Sequence, residues 1–529
     1  MPASRAYSAF SNSSSFRAAV FVVLAFTLLT PSTSLAQEAV LPSAPPQLTL
    51  LDPVPSLLNG AAVTTNVNVL ASKGRLVQGT AADSASELVL RIPANAVGEQ
   101  FTITVINDQG QQSTSSIEDG GLGAIGTSSF TASQLTVTAV ATSSGPMAFA
   151  IYGSPLDFPR PEGQDVSSSE RFITLQVQAL DTRLLSQTSL TLLRPPLVLI
   201  HGLWASPQSW SDFTPLTTDP RWVINKADYS KIIGGQIKSY SPPVPSWARG
   251  SIVSSPASAL GFAYNAPTVL LQINGFINSF KKGTNPANVP VAGVQADIVA
   301  HSMGGDITRT MPMIKQFYSP TTFALGFVHK VITIGTPHWG SPLATMLLNN
   351  NNECVRGVLT QSGSPSFTSV TFQNGTTTTG GVADLRGDGF GGGLSLALQK
   401  LQKPIPHPLP TALIQGLESQ SQLDGLDTSP VALSIRILCF GDSLAGHLTS
   451  SGWPKIFGQD SDSIVPALSE VAGLSDFTLV NGVIHSQSSE LLGFGPPAEL
   501  DSAGGIPDTV INLLNTPVNN ATYVLLPQQ

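Results

Sequence analysis

The sequence predicts an α/β layer architecture preceded by an all-β sandwich, and three observations carry this prediction. Residues 49–193 alternate apolar positions with Thr, Ser or Gln in short runs broken by turn clusters, the period-2 signature of half-buried strands. From residue 194 the apolar runs become continuous, as in "LVLI" at 197–200, which suits parallel strands buried on both faces. Segments with helical spacing separate those runs, and strands alternating with helices imply right-handed crossovers around a mostly parallel sheet.

After a Pro-rich lead-in at 37–48, strands are expected in "ELVLRIP" (87–93), "QFTITVIND" (100–108), "SQLTVTAVAT" (133–142), "RFITLQVQAL" (171–180) and "TSLTLL" (188–193). Five short strands without convincing helices predict an immunoglobulin-like sandwich over 49–193. That stretch contains no histidine, so a binding, spacer or capping role is expected of it rather than catalysis. The α/β domain follows over 194–529. "RWVINKADY" (221–229), "ADIVA" (296–300), "KVITIGTP" (330–337), "SIRILCFG" (434–441) and "FTLVNG" (477–482) read as further strands. Val269, Leu270, Ile273, Phe276, Ile277 and Phe280 recur at helical spacing in 268–282. Between about 341 and 430 lies a Gly/Ser/Thr-rich insert with a few apolar stretches; its size suggests a functional lid or a disordered excursion.

Bulk properties narrow the class. The 529 residues suffice for roughly three average domains, or a large one plus a small one. Only 11% are charged, far below the roughly 25% of an average soluble protein, which suits a loop-rich exported chain. Arg5 and Arg17 precede the apolar run "AAVFVVLAFTLL" (18–29), and small residues follow at Ser34 and Ala36. This is the plan of a secretory signal over 1–36, in a run too short for a spanning helix; an uncleaved anchor is the alternative. Its removal takes away those two arginines and no acids, shifting the formal charge from −8 to −10. That balance gives no basic footprint for nucleic acid. No later stretch is long and apolar enough to predict a membrane span. Cys354 and Cys439 are the only cysteines. In an oxidising compartment they are candidates for one disulfide, with two separate buried thiols as the alternative. They cannot supply a zinc cage.

The chemistry centres on "QADIVAHSMGGDITR" (295–309). An apolar strand, a tight turn of small residues and a helix start place Ser302 at the apex, as in a nucleophile elbow. The pattern is Ala300-x-Ser302-x-Gly304, with alanine where glycine is usual; alanine fits if its φ stays negative. A serine hydroxyl needs a base. Where this elbow occurs the chain order is Ser, acid, His, so the base must follow Ser302. His485 is the last of seven histidines and sits just past the "FTLVNG" strand. His301 adjoins the serine but points across the turn, and His201 precedes it. The acid is expected in "GQDSDSIVP" (458–466), with Asp462 favoured over Asp460 and, further off, Asp442. Oxyanion donors are expected from the N–H of Met303 and, through the turn His201-Gly202, of Leu203.

Taken in order, "LVLIHGLW", "ADIVAHSMGG", "ITIGTPHWGSPLA", "DSIVP" and "GVIHS" resemble the bacterial lipase branch of the α/β-hydrolase superfamily. They also resemble GPI inositol-deacylase-like and lecithin–cholesterol acyltransferase-like esterases. The resemblance covers about 194–500. It implies Ser302, Asp462 and His485 as triad, Leu203 and Met303 as oxyanion residues, and "TPHWGSP" (336–342) as the lead into a lid. "GVADLRGDG" (381–389) matches the segment after the lid only loosely. Some members of that branch bind Ca²⁺ near the histidine through paired aspartates. Here Asp501 and other acids form no convincing ligand set, so no metal is assigned, and hydrolysis through an acyl-enzyme requires no cofactor. The expected activity is cleavage of carboxylic esters, with lipid acyl chains favoured, at a lipid–water interface if the insert is a lid. An extracellular polyester depolymerase docking through its β domain is one rival; a non-catalytic binding protein with a hydrolase fold is another. Oligomeric state, and whether the protein stays in the periplasm or leaves the cell, are open at this point.

Overall fold

The computed structural model describes residues 45–231, 236–243, 257–348, 367–417, 460–462, 464–486 and 497–527. The expected signal segment, Cys354, Cys439, Asp442 and the strand expected at 434–441 lie outside these residues.

Alternation in the N-terminal region produces two sheets, antiparallel but for short parallel pairings at one edge. One holds Thr49–Asp52, Arg75–Leu76, Glu87–Pro93, Val140–Thr142 and the long strand Gly145–Gly153, with Gly121–Gly123 at its side. The other runs Val291–Ala292, Gly79–Ala81, Leu185–Leu193, Glu170–Ala179, Gln100–Ile106 and Gln134–Thr138. Their inward positions meet in one core: Leu88, Leu90, Ala150 and Tyr152 from the first face Phe101, Ile103, Leu175, Val177 and Leu190 from the second. Two faces sharing a dry core bury enough apolar surface to hold short strands that are marginal in isolation. The expected strand at 133–142 is divided between the sheets at Ala139.

The second half is built on a mostly parallel sheet. Its order is Ile224–Lys226, Leu197–Ile200, Ala296–His301, Val328–Ile334, Leu409–Leu417 and Thr478–Asn481, with Val524–Leu526 antiparallel against Leu409–Leu417. In "LVLI" alternate side chains enter different cores. Val198 and Ile200 pack with the helix Phe262–Lys281, whereas Leu197 and Leu199 pack with Trp210, Phe213 and the helix Ile506–Leu514. Helices on both faces explain why these strands read as unbroken apolar runs.

One assignment changes. Leu409–Leu417, placed by sequence inside the insert of about 341–430, is a central strand paired with Val328–Ile334 and Thr478–Asn481. Pro410, Gln415 and Gly416 interrupt its apolar run and disguise it. The described part of the insert before it comprises the helix Pro342–Leu348, the hairpin Ser369–Phe372 with Thr377–Thr379, and the helices Gly381–Asp384 and Leu396–Leu401. None of the helices among the described residues is long and apolar enough to cross a membrane.

The two halves meet through buried polar contacts. Asp83 accepts from Ser86 Oγ, Ser154 Oγ and the N–H groups of Ala85, Ser86, Val294 and Gln295. Lys330, 1% exposed, donates to Asp157 at 2.7 Å and to the Leu514 carbonyl. His329 lies between Asp297 at 2.7 Å and the Leu156 carbonyl at 2.9 Å.

Candidate active site

The predicted chemical residues within the described part lie at or beyond the carboxyl ends of the parallel strands, where open α/β sheets leave a crevice. The strand Ala296–His301 turns directly into the helix Met303–Thr310 at Ser302, whose φ is +56° and ψ −135°. Such a backbone costs a non-glycine residue on the order of 1–3 kcal/mol and persists where the surroundings impose it. Here the imposing contact is helix against strand. A Cβ on Gly304 would lie 2.5 Å from the Ile200 carbonyl oxygen and 2.6 Å from that of His201. Gly202 is equally constrained, since a Cβ there would come within 2.6 Å of Ser302 Cβ. Ala300 is fully buried in the strand and is not among the residues with positive φ, so the alanine in place of glycine carries no backbone strain.

Ser302 Oγ and His485 Nε2 are 2.8 Å apart, and His485 Nδ1 is 2.5 Å from Asp462 Oδ2. The other Asp462 oxygen accepts from the N–H groups of Ile464 and Val465, and the Asp462 carbonyl accepts from the His485 N–H. The aspartate is therefore fixed by its own loop and fixes the histidine in turn. Ser302 and His485 are 7% and 5% exposed and Asp462 is fully buried. Asp460 lies exposed on the same loop.

Met303 opens the helix, so its N–H has no acceptor within that helix. Leu203 is half-buried on the loop after Leu197–Ile200. That loop is anchored by Tyr229, whose hydroxyl donates to the His201 carbonyl and whose ring stacks on His201 at 4.0 Å. Burial pulls the His201 imidazole down to about 4, so the ring stays neutral at neutral pH.

His301 sits behind the triad. Its Nε2 is 3.1 Å from both the His485 carbonyl and Glu499 Oε2, and burial, reinforced by His485, holds it well below the usual histidine range. Glu499 and Glu470, both fully buried, were not found by sequence reasoning. Glu470 accepts from the Gly416 N–H. Burial and the nearby Asp462 charge push both carboxyls well above the usual range, and Glu499 adds to the push on Glu470. Donor atoms of His301, His485 and Glu499 lie within 4.8 Å of one another, as do those of Asp462, Glu470 and Glu499. Asp462 and both histidines are engaged by protein partners, which leaves one unpartnered oxygen each on Glu470 and Glu499. In sequence these acids resemble surface residues. The available signal was indirect: glycines at 335 and 416, where a Cβ would overlap the Glu499 carboxyl.

No family model and no curated protein matches the chain. Among solved structures it is similar to a Bacillus licheniformis lipase, BlEst2, in propeptide form. Identity is 16% and the TM-score 0.34, over 61% of this chain and 50% of that one; the chain thus spans about half the length of that lipase. It is also similar to an extracellular α/β-hydrolase from a Paenibacillus species, at 12% identity and a TM-score of 0.25, over 60% of this chain and 97% of the other. Likenesses this slight say nothing of what the site does.

Proposed function

We propose that the chain is an exported serine hydrolase of the α/β-hydrolase type that cleaves carboxylic esters, with apolar acyl groups preferred. The observation that carries this reading is the unbroken line from Ser302 through His485 to Asp462, at 2.8 and 2.5 Å, mounted on an elbow with positive φ. Ser302 Oγ attacks the ester carbonyl as His485 Nε2 takes its proton. Asp462 holds the ring in the Nδ1–H tautomer and stabilises the imidazolium that forms. The N–H groups of Met303 and Leu203 receive the oxyanion; one such preorganised donor is typically worth about 3 kcal/mol of barrier. His485 returns the proton to the departing alcohol, leaving the acyl group on Ser302. Water, deprotonated by the same imidazole, then attacks the acyl-enzyme, and the acid departs with the serine restored.

The preference for apolar acyl groups rests on the surroundings. Leu203 and Met303 both border the Gly381 position, at 2.6 and 3.0 Å from where a Cβ would stand, so the two residues next to the oxyanion position carry hydrocarbon and thioether rather than polar groups. The segments before Leu409–Leu417 serve as the lid in this reading. Turnover of p-nitrophenyl esters of graded chain length tests it. Ser302→Ala is expected to lose on the order of 10⁴-fold or more in kcat, with wild-type rates rising with acyl length. An inactive wild type, or full activity in Ser302→Ala, overturns the proposal.

A further inference from the structure

We infer that the insert carries a binding site for a neutral saccharide ring, in the cavity between the hairpin Ser369–Phe372 with Thr377–Thr379 and the start of the helix Phe262–Lys281. The saccharide is either the alcohol part of the ester, which rests on the hydrolase reading above, or a unit of a polymer. The cavity measures about 540 Å³, within the roughly 300–1,000 Å³ of small-molecule sites. It is lined by the rings of Tyr264 and Phe372, the amides of Gln236, Gln373 and Asn374, and a run of threonine hydroxyls at 376–378.

The lining selects the ligand class. Among the described residues no charged side chain lines the cavity. A phosphate, carboxylate or ammonium group entering it would lose water without gaining a counter-ion. A polyester chain offers acceptors but no donors, and would leave the acceptor oxygens of the lining unmatched. A sugar hydroxyl both donates and accepts, as do the threonine hydroxyls and, through separate atoms, the amides. The rings supply the other half of the match. Phe372 is buried and near-parallel to Tyr264, with centroids 5.4 Å apart and 13° between the planes. Tyr264 is half-buried and keeps exposed ring surface. The C–H face of a pyranose packs against the negative face of such a ring.

The site is ordered before a ligand arrives, which lowers the cost of binding. At the hairpin tip Gly375 has φ +84°, its N–H donates to the Phe372 carbonyl, and the Phe372 N–H donates to the Thr376 carbonyl. Asn374 Oδ1 accepts from the Thr376 N–H and hydroxyl, which fixes that amide. The Gln373 N–H donates to the Gln236 carbonyl, and the Gly261 N–H donates to the Thr379 carbonyl, so strand, hairpin and helix start are tied together. Tyr264 and Phe372 pack in one apolar cluster with Leu260, Phe367, Val370 and Trp204. Trp204 follows Leu203, so the cavity borders the same cluster as the loop expected to hold the oxyanion. That neighbourhood makes the alcohol part of an ester one source of the saccharide.

The test uses the full chain and esters of one acid: ethyl octanoate, and methyl glucoside, galactoside and mannoside octanoylated at the primary hydroxyl. The free methyl glycosides, cellotetraose and mannotetraose are titrated calorimetrically into Ser302→Ala, with and without Tyr264→Ala. Wild type is expected to show a higher kcat/KM on at least one octanoyl hexoside than on ethyl octanoate. Tyr264→Ala should lower that ratio about 10-fold, the effect of losing an aromatic anchor. Leu271→Ala, 71% exposed on the same helix and outside the cavity, should keep the ratio. A ratio of two substrates on one sample is insensitive to the amount of folded protein. Should alanine at 264 fail to fold, Gln373→Ala with Asn374→Ala at the exposed hairpin tip carries the same comparison. Saturable tetrasaccharide binding that Tyr264→Ala abolishes, without preference among the esters, supports the site and assigns it to a polymer. A ratio that no cavity variant moves, together with no saturable binding of any saccharide, overturns the inference. If a saccharide binds but no ester is cleaved, the hydrolase reading has failed and the saccharide site stands.

Discussion

Two groups of buried acids in this molecule are treated in opposite ways. At the junction between the β sheets and the parallel sheet, each one has full compensation. Asp83 gathers six donors, Asp157 has Lys330 and two N–H groups, and Asp165 is forked by Arg160. Around His485 three carboxyls cluster, two of them on histidines; two carboxyl oxygens have no partner, and among the described residues no lysine or arginine is paired with any of the three. The first pattern is what stability requires. The second costs stability and is what the proposed acyl-transfer chemistry, with acid–base groups held in a dry place, would call for.

If this contrast is right, the two regions should respond differently to substitution. The largest effect on stability is expected at the junction. Lys330→Met strands Asp157 in the interior and should cost about 3–5 kcal/mol in chemical denaturation, while the surviving folded protein keeps its kcat. A loss of turnover without a loss of stability would break the contrast. At the elbow the balance reverses. Gly304→Ala forces the helix off the carbonyls of Ile200 and His201; it should cost about 1–3 kcal/mol as an overpacked site but about 10²-fold or more in kcat/KM, since displacement of the nucleophile by about 1 Å is that damaging. The smallest effect is on pH dependence. Glu470 is protonated more readily in the folded than in the unfolded chain, so the stability it contributes is greatest at low pH and is lost as pH rises toward its folded value. Glu470→Gln should therefore be more stable than wild type at pH 8 relative to pH 5, measured by denaturant midpoint. A midpoint difference independent of pH would contradict the assignment of a raised carboxyl.

The same contrast explains what could be read from the chain. The elbow was legible because close packing fixes residue types over a few positions: Ser302 needs small neighbours, and Gly202 and Gly304 have no room for a side chain. His485 was legible from chain order, and Asp462 from its loop. Most of the strands named from alternation or continuous apolar runs fall on observed ones, from Glu87–Pro93 to Thr478–Asn481. The missed elements carry mixed signals. Leu409–Leu417 hides behind Pro410 and Gly416, and Gly145–Gly153 behind small residues at 148 and 150. Glu470 and Glu499 were invisible for a different reason: burial of an acid is decided by distant parts of the chain, for Glu499 by glycines at 335 and 416, and leaves no local pattern.

The central claim is that Ser302 is a nucleophile activated by His485, and active-site labelling tests it most directly. A fluorophosphonate should modify one residue of the native protein, and peptide mapping should place it on Ser302. Labelling should vanish in Ser302→Ala and slow by orders of magnitude in His485→Ala. A label on another residue, or unchanged labelling after loss of His485, would contradict the account.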